Sequence, residues 1–292
     1  RFHLIDRAGA ARMTVTEATG SPGGTAAPTV GPRATAPGTW AVFRQILWRD
    51  VFVTLRSMPT FLAQVVLQPL FLVFVFGKVL TELGYARPDY SNLLLPGVIA
   101  LTCVLTGLQG TALPMVIDFS YTREIEDRLM APLPTDAVAL EKIVFGALRG
   151  LIAAVVMFPV GVLVLGHIPF DTARLPLLVV VLVLATIVGS AMGLSLGALV
   201  RPDQINIVFA LVLTPLLFTG CSQYPWPSLS VLPWFKVVTL FNPLTYASEG
   251  MRAAMEPSVA HMNPVISVVV LAGCCAGFIA LGVWGFRRRA LD

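Results

Sequence analysis

Beyond residue 57 the chain alternates long apolar runs with short polar breaks, and the spacing of the breaks predicts helices of membrane-crossing length. A helix crosses the apolar core of a bilayer with roughly 20 residues, and each run is measured against that length. The first covers residues 58–80 and carries Gln64 and Gln68 four apart on one helical face. The second, residues 93–117, contains Gly107, Gln109, Gly110 and Pro114, which predict a kink toward its end. The third, residues 138–165, carries Lys142 and Arg149, whereas the fourth, residues 175–199, is uncharged and holds the small-residue stretch GSAMGLSLG at 189–197. A fifth covers residues 205–221, and a sixth, residues 265–286, is closed by Arg287, Arg288 and Arg289. The expected fold class is therefore an all-α membrane protein with six transmembrane helices.

Residues 40–57, WAVFRQILWRDVFVTLRS, break the pattern with Arg44, Arg49, Asp50 and Arg56. That segment is too charged to cross. Its alternation of tryptophan and arginine predicts an amphipathic helix in the headgroup plane, the alternative being a helix packed on protein. Residues 1–39 are dominated by Ala, Gly, Pro, Ser and Thr and predict a disordered tail, with residues 1–12, ahead of Met13, an upstream extension. No signal peptide is expected, because the first apolar run lies far from the start.

Two polar breaks are longer than the rest. In the first, residues 121–130 read as a short amphipathic helix. Tyr121, Ile125 and Leu129 form one i, i+4 row, and Arg123, Glu124, Glu126, Asp127 and Arg128 surround it. Pro132 and Pro134 stop this helix, and Thr135 and Asp136 are positioned to cap the next. The second break, residues 222–263, is semi-apolar, and Asn242-Pro243 divides it into two helical pieces too short to cross. Two readings stand: the pieces dip into the membrane and return, or they form a buried hairpin that lids the bundle.

Composition fits the hydropathy pattern. The 292 residues are 56% hydrophobic and 12% charged, against about a quarter charged in soluble domains. Twenty basic against 16 acidic residues are too dispersed for nucleic acid, but their placement sets topology. With a cytoplasmic N-terminus, the inner side holds the arginines of 40–57, Arg123, Arg128, Arg201 and the terminal triplet. The outer side then holds only Lys78, Arg87, Arg174, Lys236 and Arg252, in agreement with the positive-inside rule. Both termini are expected in the cytoplasm of a multi-pass cell-membrane protein.

Catalytic signatures are missing from the sequence. There is no G-x-x-x-x-G-K-[ST] phosphate loop, H-E-x-x-H or G-x-S-x-G, and His3, His167 and His261 are scattered. Cys103, Cys221, Cys274 and Cys275 lack metal or redox spacing and read as packing residues. No metal or cofactor is expected in this chain. Carboxylates are absent from the middle of every predicted span, which argues against a proton- or sodium-driven carrier. Arg149 is the exception among span charges. It faces a polar cavity, pairs with a neighbouring helix, or snorkels to headgroups. With Gln64, Gln68 and Gln109 it makes up the candidate transport path.

The interfacial segment, six spans, the charged break and the divided break together resemble the ABC-2 family of ATP-binding-cassette exporter permeases over residues 40–289. Two segments carry the resemblance: REIEDRLMAPLPTDAVALEKIV at 123–144 and FNPLTYASEGMRAAM at 241–255. Glu126-Asp127 stands where many members place Gly-Thr. The resemblance implies that 121–130 is a coupling helix docking on a separate cytoplasmic ABC ATPase, which would bind ATP and Mg and be present in two copies beside a second permease copy. It also implies re-entrant helices between 224 and 255 that guard the outer exit, with Trp226, Trp234, Phe241, Asn242, Pro243, Tyr246, Glu249 and Arg252 as gate candidates. The expected function is outward movement of a hydrophobic drug or lipid-type substrate by a non-enzymatic subunit. A polysaccharide or lipid-linked glycan exporter is the runner-up, and a secondary transporter or membrane scaffold the alternative class.

Overall fold

The computed structural model describes residues 39–87, 89–119, 134–166, 168 and 172–291, and among these the structure is helical, without strands. In chain order the helices are α1 (Thr39–Arg56), α2 (Met58–Glu82), α3 (Tyr90–Ile117), α4 (Thr135–Leu165), α5 (Leu175–Leu199), α6 (Ile205–Thr219), α7 (Pro233–Thr239), α8 (Pro243–Met255) and α9 (Pro264–Leu291). The tail predicted for 1–39 lies outside the described residues except for Thr39, and the helix predicted for 121–130 lies wholly outside them.

Among the described residues, five helices are long and apolar enough to cross a membrane: α2, α3, α4, α5 with its lead-in turn, and α9. The expected fifth crossing is apolar too, but α6 has only 15 residues. It stops short because Gly220 leaves the helix and Cys221 turns with φ 50, a left-handed value rare for a residue with a Cβ. Another expectation fails at the start of α4. Thr135 and Asp136 do not cap it. Pro134 occupies the N-cap position in an extended conformation, and Asp136, already in the first turn, reaches across to Arg287 of α9. Within α2, residues Val73–Val79 widen into a π-helical turn, and the Thr81 hydroxyl donates to the Gly77 carbonyl there.

The centre of the bundle is α3, buried along nearly all of its length, with α5, α4, α8 and the π-helical stretch of α2 packed on it. Lipid tails are as apolar as leucine, so close packing rather than expulsion of water must hold these helices together. Small residues on α5 permit it. A Cβ on Gly189 would stand 2.3 Å from the Val104 carbonyl oxygen of α3, and one on Gly193 2.4 Å from that of Leu108. Hydroxyls tie the same seam: Thr111 and Ser190 share a 2.7 Å hydrogen bond, and Ser190 donates to the Ile143 carbonyl of α4 at 2.8 Å.

The bundle has two chemically distinct ends. At one, Lys142 of α4 donates to Asp118 just after α3 at 3.0 Å, both buried. Arg287 meets Asp136 here, and Arg289 donates to the Gly197 and Val200 carbonyls at the end of α5. On α1, Val42, Phe43 and Ile46 pack beside Val138, Ile143 and Phe286, while Trp40, Trp48 and Phe52 stay exposed. At the other end, α8 is buried at every position between α3, α5 and α9.

Candidate functional site

The four path candidates converge. Gln64 and Gln68 of α2 face Gln109 of α3 across a cleft, and Arg149 of α4 closes its wider side. Three cavities sharing walls follow one another along it. The widest, about 590 Å³, lies among α1, Asp118, Lys142 and Arg149. The next, about 220 Å³, includes Arg149, Gln64 and Gln109. The narrowest, about 40 Å³, lies between Gln68 and Thr102. Helical spacing explains the polar ladder: Gln64 and Gln68 are one turn apart, as are Thr102, Thr106 and, within one residue, Gln109.

Among the described residues, Arg149 is held by shape rather than by charge. Its guanidinium lies 4.7 Å from the Phe61 ring of α2 and 5.8 Å from the Phe145 ring one turn back on its own helix. A Cβ on Gly110 of α3 would sit 3.7 Å from Arg149 Cδ and Nε, so the guanidinium rests against bare backbone. Its Nε has no hydrogen-bond partner. Of the three readings of Arg149 left open by the sequence, two find a counterpart here: it lines a cavity, and it lies against a neighbouring helix through the Phe61 ring.

The gate candidates occupy the opposite end, and most of them are fasteners. Glu249 and Arg252, both fully buried, pair at 2.6 Å one turn apart on α8. Glu249 accepts from the amides of Trp226 at 2.9 Å and Met262 at 2.7 Å. Arg252 donates to the carbonyls of Leu93 at 3.1 Å, Cys221 at 2.6 Å and Ser222 at 3.1 Å. One pair thus ties the start of α3, the turn after α6, the Trp226 segment and the approach to α9. Gly97 makes room for it, since a Cβ there would stand 1.9 Å from the Ser222 carbonyl oxygen.

Asn242 caps α8 by accepting from the Leu244 amide at 2.9 Å, and Pro243 fills the first helical position. The Asn242 amide also donates to the Leu216 carbonyl at 3.0 Å, and Thr245 donates to that of Thr219 at 3.1 Å. Tyr224 donates to the Phe218 carbonyl, and burial pushes its hydroxyl up to about 12, so it stays a donor. Three of the four carbonyls left open at the end of α6 are satisfied this way. Tyr246 donates to the Leu240 carbonyl at 2.9 Å, and Trp226 packs under Lys236, whose Nζ lies 4.1 Å from its ring. Trp234 and Phe241 are the exposed members of the set.

The sequence model of the ABC-2 type transporter family matches residues 41–255, well over half of the chain and from α1 through α8. The chain belongs to the ABC-2 type transporter family. It is 27% identical over 218 residues to the inner membrane transport permease YadH of Escherichia coli (strain K12), covering 73% of this chain and 82% of that protein. It is 24% identical over 215 residues to the putative transport permease ycf38 of Porphyra purpurea, covering 71% and 72%. Against the ycf38 permease of Cyanophora paradoxa the figures are 24% over 216 residues, 71% and 72%.

This ABC-2 permease is thus a multi-pass membrane protein whose candidate path and candidate gate lie at different ends of one bundle. The coupling candidates Tyr121, Arg123, Glu124, Ile125, Glu126, Asp127, Arg128 and Leu129 lie outside the described residues. What the structure does describe is the pair that brackets them, Asp118 and Lys142. Sequence reasoning missed the inward role of Glu249 and Arg252 by counting both as loop charges. The available signal was their i, i+3 spacing inside PLTYASEGMRAAM, where every other residue is apolar, small or uncharged.

Proposed function

We propose that this chain is the membrane subunit of an ABC exporter that moves a hydrophobic drug or lipid-type substrate outward, driven by a separate ATPase. Membership of the family across residues 41–255 carries the proposal. Supporting it, these 292 residues contain no phosphate-binding loop, so the energy must arrive by contact. The end bearing Asp118, Arg201 and Arg287 to Arg289 is the cytoplasmic one, by its excess of basic residues. The short helix α6 counts as the fifth of six crossings. It starts beside Arg201 at the basic end, and its last turn is capped by α8 at the other.

In this reading residues 121–130 dock on the ATPase, two of which serve two permease copies. Tyr121, Ile125 and Leu129 supply the apolar contact, and the charged residues between them set its register. The buried Lys142–Asp118 pair would fasten the two ends of that segment to the bundle, so that a push on it moves α3 and α4 together. The substrate path runs along Gln64, Gln68, Gln109 and Arg149. The α8 hairpin, clamped by Glu249 and Arg252, guards the outer exit with Trp226, Trp234, Phe241 and Tyr246 around it.

The test is co-purification. With Glu124→Lys and Asp127→Lys combined, the permease should still insert and run as a monodisperse species but lose its ATPase partner and transport. Unchanged association and transport would remove the assignment of that face.

A further inference from the structure

We propose that the cleft between α2, α3 and α4 binds an amphiphile with an acidic head, seated on Arg149. Its role as cargo rests on the exporter reading above; its binding does not. Arg149 brings a fixed positive charge into a membrane-embedded cleft. It makes no ion pair with any described residue, its Nε lacks an acceptor, and two aromatic rings and the bare backbone at Gly110 hold the guanidinium in place. The nearest basic neighbour along α4, Lys142, is already neutralised by Asp118. A cation held in a low-dielectric wall without a partner favours an anion strongly, and the planar fork of a guanidinium suits the two oxygens of a phosphate or carboxylate.

The rest of the cleft suits the remainder of such a molecule. Gln64 and Gln109 stand beside Arg149, within reach of the esters or hydroxyls next to an acidic head. Beyond them Val65, Leu72, Leu101 and Leu105 alternate with Gln68, Thr102 and Thr106, so that the walls offer apolar surface beside hydrogen-bonding groups. The cavities narrow in that direction, from about 590 Å³ through 220 Å³ to 40 Å³. A charged mouth where Arg49, Asp50, Asp118 and Lys142 stand, a guanidinium without an ion pair among the described residues, and a shrinking cleft of mixed walls follow the outline of a lipid-like anion entering head-last from the basic end.

The experiment uses the full chain in a neutral detergent, with dioleoyl phosphatidic acid and dioleoyl phosphatidylcholine as probes read by native mass spectrometry. The chain should retain phosphatidic acid in preference, and Arg149→Gln should lower that retention about tenfold or more, the scale of one lost charge-assisted contact. Arg149→Lys should keep part of the preference. Arg288→Gln, at the basic end but outside the cleft, should leave it unchanged. Gly110→Leu, which fills the seat of the guanidinium while keeping its charge, serves as an independent variant should Arg149→Gln not fold, and should also lower retention. Glycerol 3-phosphate should not displace the lipid at equal concentration. The proposal is overturned if both cleft variants bind as the parent does, if Arg288→Gln abolishes the preference, or if glycerol phosphate competes on equal terms. Transport that persists unchanged in Arg149→Gln, with phosphatidic acid binding also unchanged, would leave the exporter reading standing and remove this one. Arg149-dependent binding in a protein that never recruits an ATPase would do the reverse.

Discussion

Glu249 and Arg252 differ from an isolated buried ion pair because each is also committed to backbone groups of one polarity. Glu249 accepts from two amides, and Arg252 donates to three carbonyls. Removing either partner leaves the other charged and buried, which costs about 3–5 kcal/mol. Glu249→Ala and Arg252→Ala should therefore each cause a large fall in thermal stability, measured by fluorescence-detected size exclusion after heating. A charge swap, Glu249→Arg with Arg252→Glu, separates two explanations. A pair held by charge alone would recover. Here the swap sets donors against amides and an acceptor against carbonyls, so no recovery is expected; a swapped protein as stable as the parent would refute the latch. Asn242 works on a smaller scale. Asn242→Asp keeps the acceptor that caps α8 but loses both donations to α6, and Asn242→Ala loses all three bonds. The order of stability should be parent, aspartate, alanine, with the cap itself worth about 1 kcal/mol.

Between elements, the contact that most constrains the sequence is α3 against α5, where glycine is required by the neighbour's backbone rather than by its own conformation. Gly193→Ala would press a methyl to 2.4 Å from the Leu108 oxygen and force the helices apart, at about 1–3 kcal/mol. Gly273→Ala on α9 has open space within 4 Å. Its stability should be unchanged or slightly raised, since alanine is the better helix former by up to about 1 kcal/mol. Equal melting shifts for the two would show that the seam is not close-packed. This contact was legible in GSAMGLSLG, because a repeat of small residues in an uncharged run has few other uses. The span boundaries were legible for a similar reason: apolar runs of bilayer length leave little choice of element, and α3, α4, α5 and α9 begin and end within a few residues of the expected limits. What hydropathy could not show was where a helix stops inside an apolar stretch. The end of α6 depends on the turn at Cys221, whose carbonyl is held by Arg252 from 31 residues away. The start of α4 misled for the same kind of reason, since Asp136 had a distant arginine available and the cap competed with it. The convergence of Gln64, Gln109 and Arg149 was likewise a matter of tertiary packing. Each helix displayed its polar face, but nothing in a single helix said that the three faces meet.

For the molecule as a whole, the structure makes sidedness testable, because the two ends carry exposed residues that take no part in the cleft or the latch. Asp203 sits in the turn between α5 and α6 at the basic end, and Ser258 in the turn before α9 at the latch end, both exposed. The native cysteines are poor competitors for a polar reagent, since Cys103, Cys221 and Cys275 are buried and Cys274 is half-buried. In intact cells, Ser258→Cys should therefore react with a membrane-impermeant maleimide, and Asp203→Cys only after permeabilisation. The reverse pattern would place the basic end outside, and with it residues 121–130, where no ATPase could reach them. Labelling of both from outside would mean an even number of crossings between the two sites and would remove α6 from the count. The stretch from Asp203 to Ser258 holds α6, α7 and α8, and only α6 runs from one end of the bundle to the other. Opposite labelling thus requires that these 15 apolar residues cross with the help of the latch that caps them. A helix of that length spans about 22 Å, short of the roughly 30 Å bilayer core. The remaining depth must then be made up by the turn at Cys221 and Ser222, whose carbonyls are satisfied by Arg252 and not by lipid.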